Sequence, residues 1–382
     1  MEILILKWGL YIVCGLCLFI FAVWAHIIFW GWYYRQTEIC GPLSWIYSPD
    51  GWRIALEQVP ARHGVPYQGQ ILCCPGLACN GRIFHFRDEL SFARDMSNEG
   101  WTVWILHPRG MGPSERPFSS NSKVYGYEDY VKDGIAAMEF VRSRSEGPLL
   151  WVGHSLGGLI GIDVARRIPT AFDGMITLGT PVALKNHPIH PFYYGIFKWS
   201  FKGLKTAYLG KLSTLVAPWS GWIPALHPAP LFVNFDLINK ADLRAALAQC
   251  FEDVPRRVLD EFVAAIESAG GPLHEMKEIL ETVQFPILAM AGDVDGLAPL
   301  EVTTPISEWV QADLIEWHVL PNFSHLELAL SGGVKTIVIP KITKWWDKCS
   351  QSSNPPATLD LKHQETQHRE DQKNSKIITQ AG

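Results

Sequence analysis

Hydrophobic and polar positions divide the chain into three regimes, and the first is the plainest. From Trp8 to Tyr34 the sequence reads WGLYIVCGLCLFIFAVWAHIIFWGWYY, with His26 the only side chain that readily carries charge. A helix that spans a bilayer needs about 20 mostly apolar residues, and aromatic rings gather at its two interfaces. This run is long enough with some tilt, and Trp8 at one end is matched by Trp30, Trp32, Tyr33 and Tyr34 at the other. A cleaved signal peptide has an apolar region about half as long, closed by small residues at a cleavage site. Neither feature is seen, so residues 3–34 are expected to be an uncleaved, single-pass transmembrane anchor. Lys7 and Arg35 lie on opposite sides of it, and Glu2 and Glu38 partly offset them, so the charge pattern favours neither orientation.

The second regime, residues 40–348, alternates short apolar runs with helical periodicity. LSWIY and WRIALEQV are β-like runs split by the turn Ser48-Pro49-Asp50-Gly51. QGQILCCPG, TVWIL, LLWVG, GMITLG, PILAMAG and DLIEWHVL read as further strands. Helical patterns fall at roughly 87–99, at 126–143 with Tyr130, Ile135, Met138 and Val141 near one face, after LLWVG in SLGGLIGIDVARRI, and at about 332–348. Strands alternating with helices predict an α/β fold with a mainly parallel central sheet and helices on both faces. Residues 185–275 interrupt the rhythm: their first half is rich in Pro and aromatic residues, and their second holds two helical patterns, ADLRAALAQCF and RRVLDEFVAAIES. An insertion of this size is expected to be a cap or lid over a functional site, with ordinary cover for a large sheet as the plainer alternative. The third regime, residues 350–382, is polar and Pro-containing and reads as a disordered tail.

Composition narrows the field of partners. With 33 basic and 38 acidic residues the formal net charge is −5, and no long basic run is present, which argues against a nucleic-acid partner. A hydrophobic fraction of 48% excludes a mainly disordered chain, and 16 tryptophans suit contact with lipid. A single spanning run excludes a channel or transporter component. Of the 8 cysteines, Cys14 and Cys17 have C-x-x-C spacing but lie inside the apolar run, without partners for a metal. Cys73 and Cys74 close a strand and read as buried thiols, while Cys40, Cys79, Cys250 and Cys349 show no metal or disulfide spacing. No metal or organic cofactor is implied, and no oligomeric state.

The candidate chemistry is concentrated in one pentapeptide and two distant partners. Gly153-His154-Ser155-Leu156-Gly157 is a G-x-S-x-G motif between the strand LLWVG and the helix SLGGLIGIDVARRI. That context puts Ser155 on a sharp strand-to-helix turn, with small neighbours that let the helix approach closely. A serine hydroxyl is a weak nucleophile and needs a base, itself oriented by a carboxylate. With this elbow the chain order is serine, acid, histidine, the acid following a late strand. PILAMAG ends in GDVDGLAP, where Asp293 and Asp295 compete. His318 sits inside a strand pattern, whereas His325 lies in the loop LPNFSHLEL beyond it and is favoured. His85, His187, His190, His227 and His274 show no partner pattern and read as packing or solvated groups.

These motifs resemble the α/β-hydrolase superfamily over roughly residues 40–348. The elbow is GHSLGG; CPGLACNG resembles the H-G-x oxyanion loop with Pro75 in place of histidine; HPRGMGPS resembles the D-x-R-G-x-G-x-S loop with His107 in place of aspartate. GDVDGLAP resembles the G-x-x-D-x-h-x-P acid loop, where h is apolar, and so favours Asp295 over Asp293. A weaker likeness extends to acid lipases and to polyhydroxyalkanoate synthases, but the latter use a cysteine where this chain has Ser155. The resemblance implies a triad of Ser155, Asp295 and His325, with backbone N–H groups of Leu77 and Leu156 as the oxyanion hole. With the anchor and an aromatic cap, the expected function is hydrolysis of hydrophobic acyl esters, of lipase or esterase type. Acyl transfer or thioester cleavage by the same triad, and a non-catalytic lipid-binding role, are the alternatives.

Overall fold

The computed structural model describes residues 2–35, 41–116, 124–144, 147–185, 187–188, 194–195, 198–199, 201–220, 232–267, 273 and 276–351. Helix α1 is a single element from Glu2 to Tyr33, and its side chains are exposed from Lys7 to Ala22. Beyond it, eight strands form one sheet: β1 (Leu43–Tyr47), β2 (Arg53–Val59), β3 (Gly69–Cys74), β4 (Trp101–His107), β5 (Leu149–His154), β6 (Gly174–Leu178), β9 (Ile287–Gly292) and β10 (Ile315–Leu320). Their spatial order is β1-β2-β4-β3-β5-β6-β9-β10. Only β2 runs against its neighbours; every pairing from β4 to β10 is parallel.

The central strands show why the pattern read as continuous apolar runs rather than alternation. β3, β5, β6 and β9 are buried at every position, as parallel strands covered on both faces must be. Edge strand β10 is half-exposed over most of its length. Helices α2 (Phe92–Asn98), α3 (Tyr127–Arg142) and α4 (Leu156–Arg167) cover the sheet.

Three helices differ in detail from expectation. The helix expected over 87–99 starts only at Phe92, because Ser91 caps it by accepting the Arg94 N–H at 3.0 Å. Before that, Arg87 and Leu90 pair as a tight antiparallel bridge. The closing helix begins as a wide turn over Val334–Val338 and becomes α-helical at Ile339–Gln351. Pro340 cannot donate a backbone N–H, which breaks the regular ladder at that junction. On the predicted face of α3, Ile135 is only half-buried, while Val131, Gly134 and Ala137 join Tyr130, Met138 and Val141 inside.

Between β6 and β9 the inserted segment contributes a small pair of strands, β7 (Thr206–Ala207) and β8 (Val254–Pro255), and helices α5 (Leu209–Val216), α6 (Lys240–Gln249) and α7 (Arg256–Ile266). The last two are the helical patterns foreseen in its second half. The polar tail expected over 350–382 lies almost wholly outside the described residues, as do Cys40, His190, His227 and His274.

At the end of β4 a buried ion cluster pins three elements together. Arg109, 1% exposed, donates to Asp133 of α3 at 2.6 Å, to Asp50 of the β1–β2 turn at 2.6 Å and to Ser48 at 2.9 Å. The guanidinium holds the Asp50 carboxyl below its usual range, whereas full burial pushes Asp133 up against that pull. Removing one partner of a buried pair strands the other charge, at a cost of about 3–5 kcal/mol. Arg109→Met should therefore lose stability on that scale in urea unfolding. Adding Asp133→Leu should recover part of the loss; a double variant as unstable as the sum of both singles would refute the pairing.

Candidate active site

Ser155 stands where β5 turns into α4, with φ 52° and ψ −120°. A non-glycine residue in that region is strained by about 1–3 kcal/mol and persists only where its surroundings leave no alternative. Here the Ser155 N–H is tied to the Leu178 carbonyl of β6 at 2.8 Å, and α4 starts at the very next residue. The Leu156 N–H, first of that helix, has no intrahelical acceptor to serve. The loop after β3 closes over the same turn. A Cβ on Gly157 would lie 2.1 Å from the Cys74 carbonyl oxygen, and one on Gly76 would lie 3.0 Å from the Ser155 Cβ. Only glycines permit this contact, which brings Leu77 beside the elbow, followed by Ala78 in a left-handed conformation at φ 55°.

Across the sheet edge, His325 Nδ1 lies 2.7 Å from Asp295 Oδ2, and both residues are buried. The other carboxylate oxygen of Asp295 accepts the N–H groups of Leu297 at 2.9 Å and Ala298 at 2.7 Å. Asp295 is thereby locked, with one oxygen aimed at the imidazole. Asp293 is exposed and does different work: its Oδ1 accepts the Asn322 N–H at 2.7 Å and holds the loop that carries His325. His318 pairs with Glu316 at 2.9 Å along β10. The buried thiols of Cys73, Cys74, Cys79 and Cys250 are all pushed up by burial, Cys79 to about 12, so none is a ready nucleophile. Among the described residues no cluster of His, Cys, Asp and Glu could hold a metal ion.

Residues 76–329 match the family described as serine aminopeptidase, S33. The chain belongs to this family of α/β hydrolases. A curated relative, the pimeloyl-[acyl-carrier protein] methyl ester esterase of Sodalis glossinidius, is 26% identical over 175 residues. That stretch is 44% of this chain and spans 60% of the relative's length. Among solved structures, a soluble variant of monoglyceride lipase from Saccharomyces cerevisiae aligns with a TM-score of 0.60 at 17% identity, over 83% of this chain and 98% of that one. Bromoperoxidase from Bacillus anthracis aligns at 0.56 and 15% identity, covering 81% and 100%. Monoacylglycerol lipase from Paleococcus ferrophilus aligns at 0.55 and 15%, covering 78% and 99%.

Several residues of this S33-family site were not legible beforehand. His154, the variable position of the elbow, is buried, and its Nε2 donates to the His325 carbonyl oxygen at 3.0 Å. The two rings lie 4.7 Å apart. Glu327 is completely buried and accepts N–H groups from Ser324 and Asn234, each at 3.0 Å; burial nevertheless pushes its carboxyl up to about 8. Beneath the Leu77 loop, Glu57 of β2 meets His85 at 2.6 Å and His107 at 3.5 Å. Burial pushes Glu57 up, but bonds to His107, His85 and the Gly41 N–H outweigh it and hold the carboxyl at about 2. His85 thus has a partner that the sequence did not reveal, and His107, standing where the family motif has aspartate, accepts the Gly81 N–H at 3.3 Å. The only prior signal was their nearness to the motifs, since the partners lie far apart along the chain.

Burial, reinforced by the neighbouring His325, lowers His154 to about 3 from an ordinary 6.5. Between those values the unfolded chain takes up a proton that the folded chain refuses, so His154 makes stability fall as the pH drops. His154→Gln keeps a donor for the His325 carbonyl but does not titrate. Its stability relative to the unsubstituted protein should improve as the pH is lowered from about 7 to about 4, read from paired thermal melts. A difference that stays constant with pH would show that His154 is not held neutral by the fold.

Proposed function

We propose that this protein is a membrane-anchored serine hydrolase that cleaves hydrophobic acyl esters through an acyl-Ser155 intermediate. The observations that support the reading are the buried 2.7 Å contact between His325 Nδ1 and Asp295 and a serine at a strained strand-to-helix turn. His325 takes the Ser155 proton as the hydroxyl attacks the acyl carbonyl, and Asp295 stabilises the imidazolium that forms. The N–H groups of Leu156 and Leu77 receive the developing oxyanion, each donor worth about 3–4 kcal/mol of barrier. His325 then returns the proton to the leaving alcohol, and water, activated by the same imidazole, releases the acid. The methyl ester esterase and the two monoacylglycerol lipases among the relatives act on acyl esters by their names, which supports this substrate class.

Hydrophobic substrates are supported by the anchor and by the inserted segment. Lys7–Tyr33 is long and apolar enough to cross a bilayer. The described part of the 185–275 insertion is read as a cap that offers rings to a bilayer: Trp199 is 61% and Trp219 56% exposed, and Leu204, Tyr208 and Leu212 are exposed as well. Lys202 lies over the Trp199 ring at 4.3 Å and Lys211 over Tyr208 at 4.5 Å, a mixture of rings and ammonium groups suited to lipid head groups.

Ser155→Ala should abolish turnover of a short-chain nitrophenyl ester and labelling by a fluorophosphonate while leaving the melting temperature intact or raised; a variant with full turnover would refute the nucleophile. Asp295→Asn and His325→Ala should each fall by orders of magnitude, about 10⁴ where the imidazole tautomer is lost. Asp293→Asn should keep most activity, because its side-chain oxygen still accepts the Asn322 N–H.

The full chain should resist extraction from membranes by alkaline carbonate, whereas a chain beginning at Gln36 should not. In that shortened chain, replacing Trp199 and Trp219 by Ser should lower long-chain ester turnover on anionic vesicles far more than short-chain turnover. Equal losses on both substrates would leave the cap as structural cover only.

A further inference from the structure

The half of the inserted segment around α6 is stitched to both loops of the site. Downstream of α6, the Glu252 N–H donates to the Ala78 carbonyl at 2.7 Å and the Asn80 N–H donates to the Cys250 carbonyl at 2.9 Å. These bonds make Cys79 and Phe251 a local antiparallel bridge. Asn80 Nδ2 adds bonds to the Gln249 carbonyl at 2.8 Å and to Glu252 at 3.0 Å. Upstream, Asn234 donates its N–H to Glu327 at 3.0 Å and its Nδ2 to the Asn322 carbonyl at 2.7 Å, on the loop that carries His325. A segment tied through its backbone on both sides cannot swing away without loosening the groups it covers.

The same segment holds the anchor. Val23, His26, Ile27, Trp30 and Gly31 recur on one face of α1 and are half-buried, as is Ala25 beside them in sequence. His26 Nε2 donates to the Leu215 carbonyl of α5 at 3.2 Å, and its ring lies parallel to Trp219 at 6.4 Å. At the end of α1 the Tyr34 carbonyl, which no further helical turn can satisfy, accepts Nε2 of Gln249. The other end of that amide, Gln249 Oε1, accepts Arg82 Nη1 at 2.9 Å. One side chain therefore joins the membrane end of α1 to the loop that carries Leu77. The junction borders a cavity of about 770 Å³, walled by Ile28, Trp32, Thr214 and Arg82, with space for these parts to shift if the amide is lost.

We propose that Gln249 is a positioning residue through which the docked anchor helix holds the Leu77 loop, so that the seating of α1 tunes acyl transfer to Ser155. The proposal rests on the reading of Ser155, Leu77 and Leu156 given above. An oxyanion donor accelerates a reaction only when it is already fixed where the negative charge will appear. The loop from Pro75 to Arg82 owes its outer contacts to residues 249–252, and Gln249 is the member of that group that also reaches α1.

The test uses the full chain in detergent micelles with a short-chain nitrophenyl ester, so that access through a bilayer does not limit the rate. Gln249→Leu removes the side-chain bonds to Tyr34 and Arg82 at similar volume. It should lower kcat about 10- to 100-fold with KM within about twofold, less than the loss of a whole oxyanion donor. Affinity for a trifluoromethyl ketone, which mimics the oxyanion, should fall by the same factor, with the melting temperature unchanged. Gly31→Leu acts from the other side: a Cβ there already lies 3.7 Å from Thr214 Cγ2, so a larger side chain pushes α1 off α5 without touching Gln249. It should lower kcat in the same manner. Unchanged kcat in Gln249→Leu would overturn the proposal, and so would a loss there with none in Gly31→Leu, because the anchor would then play no part. If Gln249→Leu does not fold, Gln249→Glu keeps an acceptor for Arg82 but offers no donor to Tyr34. An intermediate kcat would support the link, and wild-type kcat would overturn it. Failure of the underlying reading shows separately, as turnover that survives Ser155→Ala.

Discussion

A serine held at φ 52° is the constraint on which the rest of this structure depends. Left to itself the turn would relax, because a side chain in that region crowds its own backbone. It is kept there by a parallel sheet whose central strands are buried at every position, by the start of α4 one residue later, and by a β3 loop pressed against both. Gly76 and Gly157 matter for what they lack: any side chain at either would drive the loop and the helix apart. The strain and the close approach are two aspects of one arrangement, which sets Ser155 at the start of α4 with the β3 loop packed beside it.

The histidine loop is held on a different principle, by satisfying its polar groups one at a time. Asp293 takes the Asn322 N–H, Asn234 donates to the Asn322 carbonyl, Glu327 takes the Ser324 N–H, and His154 donates to the His325 carbonyl. Asp295 then receives Nδ1 of the imidazole. Several of these groups are buried titratable side chains, and burial disfavours their charged forms. His154 responds by staying neutral, and burial pushes the Glu327 carboxyl up to about 8 despite its two backbone N–H partners. Such packed polar groups fix a loop more tightly than apolar contacts do, because a lost bond in a dry interior is not replaced by water.

Helix α1, the inserted segment and the loops of the candidate site also form a continuous series of contacts. Helix α1 meets α5 and the end of α6, and the flanks of α6 meet both the Leu77 loop and the histidine loop. The long apolar helix and the loops of the candidate site thus share partners, although they lie far apart along the chain.

The apolar N-terminal run, the unbroken hydrophobic strands and the strand–G-x-S-x-G–helix sequence were all local patterns, set by backbone periodicity and by the sterics of a few adjacent residues. They were sufficient to predict the α/β class, the strand-to-helix turn at Ser155 and the two later helices of the insertion. The start of the helix at Phe92 and the wide turn before Pro340 escaped because a cap or a missing donor overrides apolar periodicity. Motif resemblance favoured Asp295 over Asp293, but only tertiary structure put one carboxylate against His325 and the other on a backbone N–H. Pairings such as His154 with the His325 carbonyl, Glu57 with His85 and His107, and Gln249 with Tyr34 and Arg82 join residues distant in the chain. No periodicity encodes them: a hydrogen bond between remote segments depends on where the whole sheet, its loops and its cap come to rest.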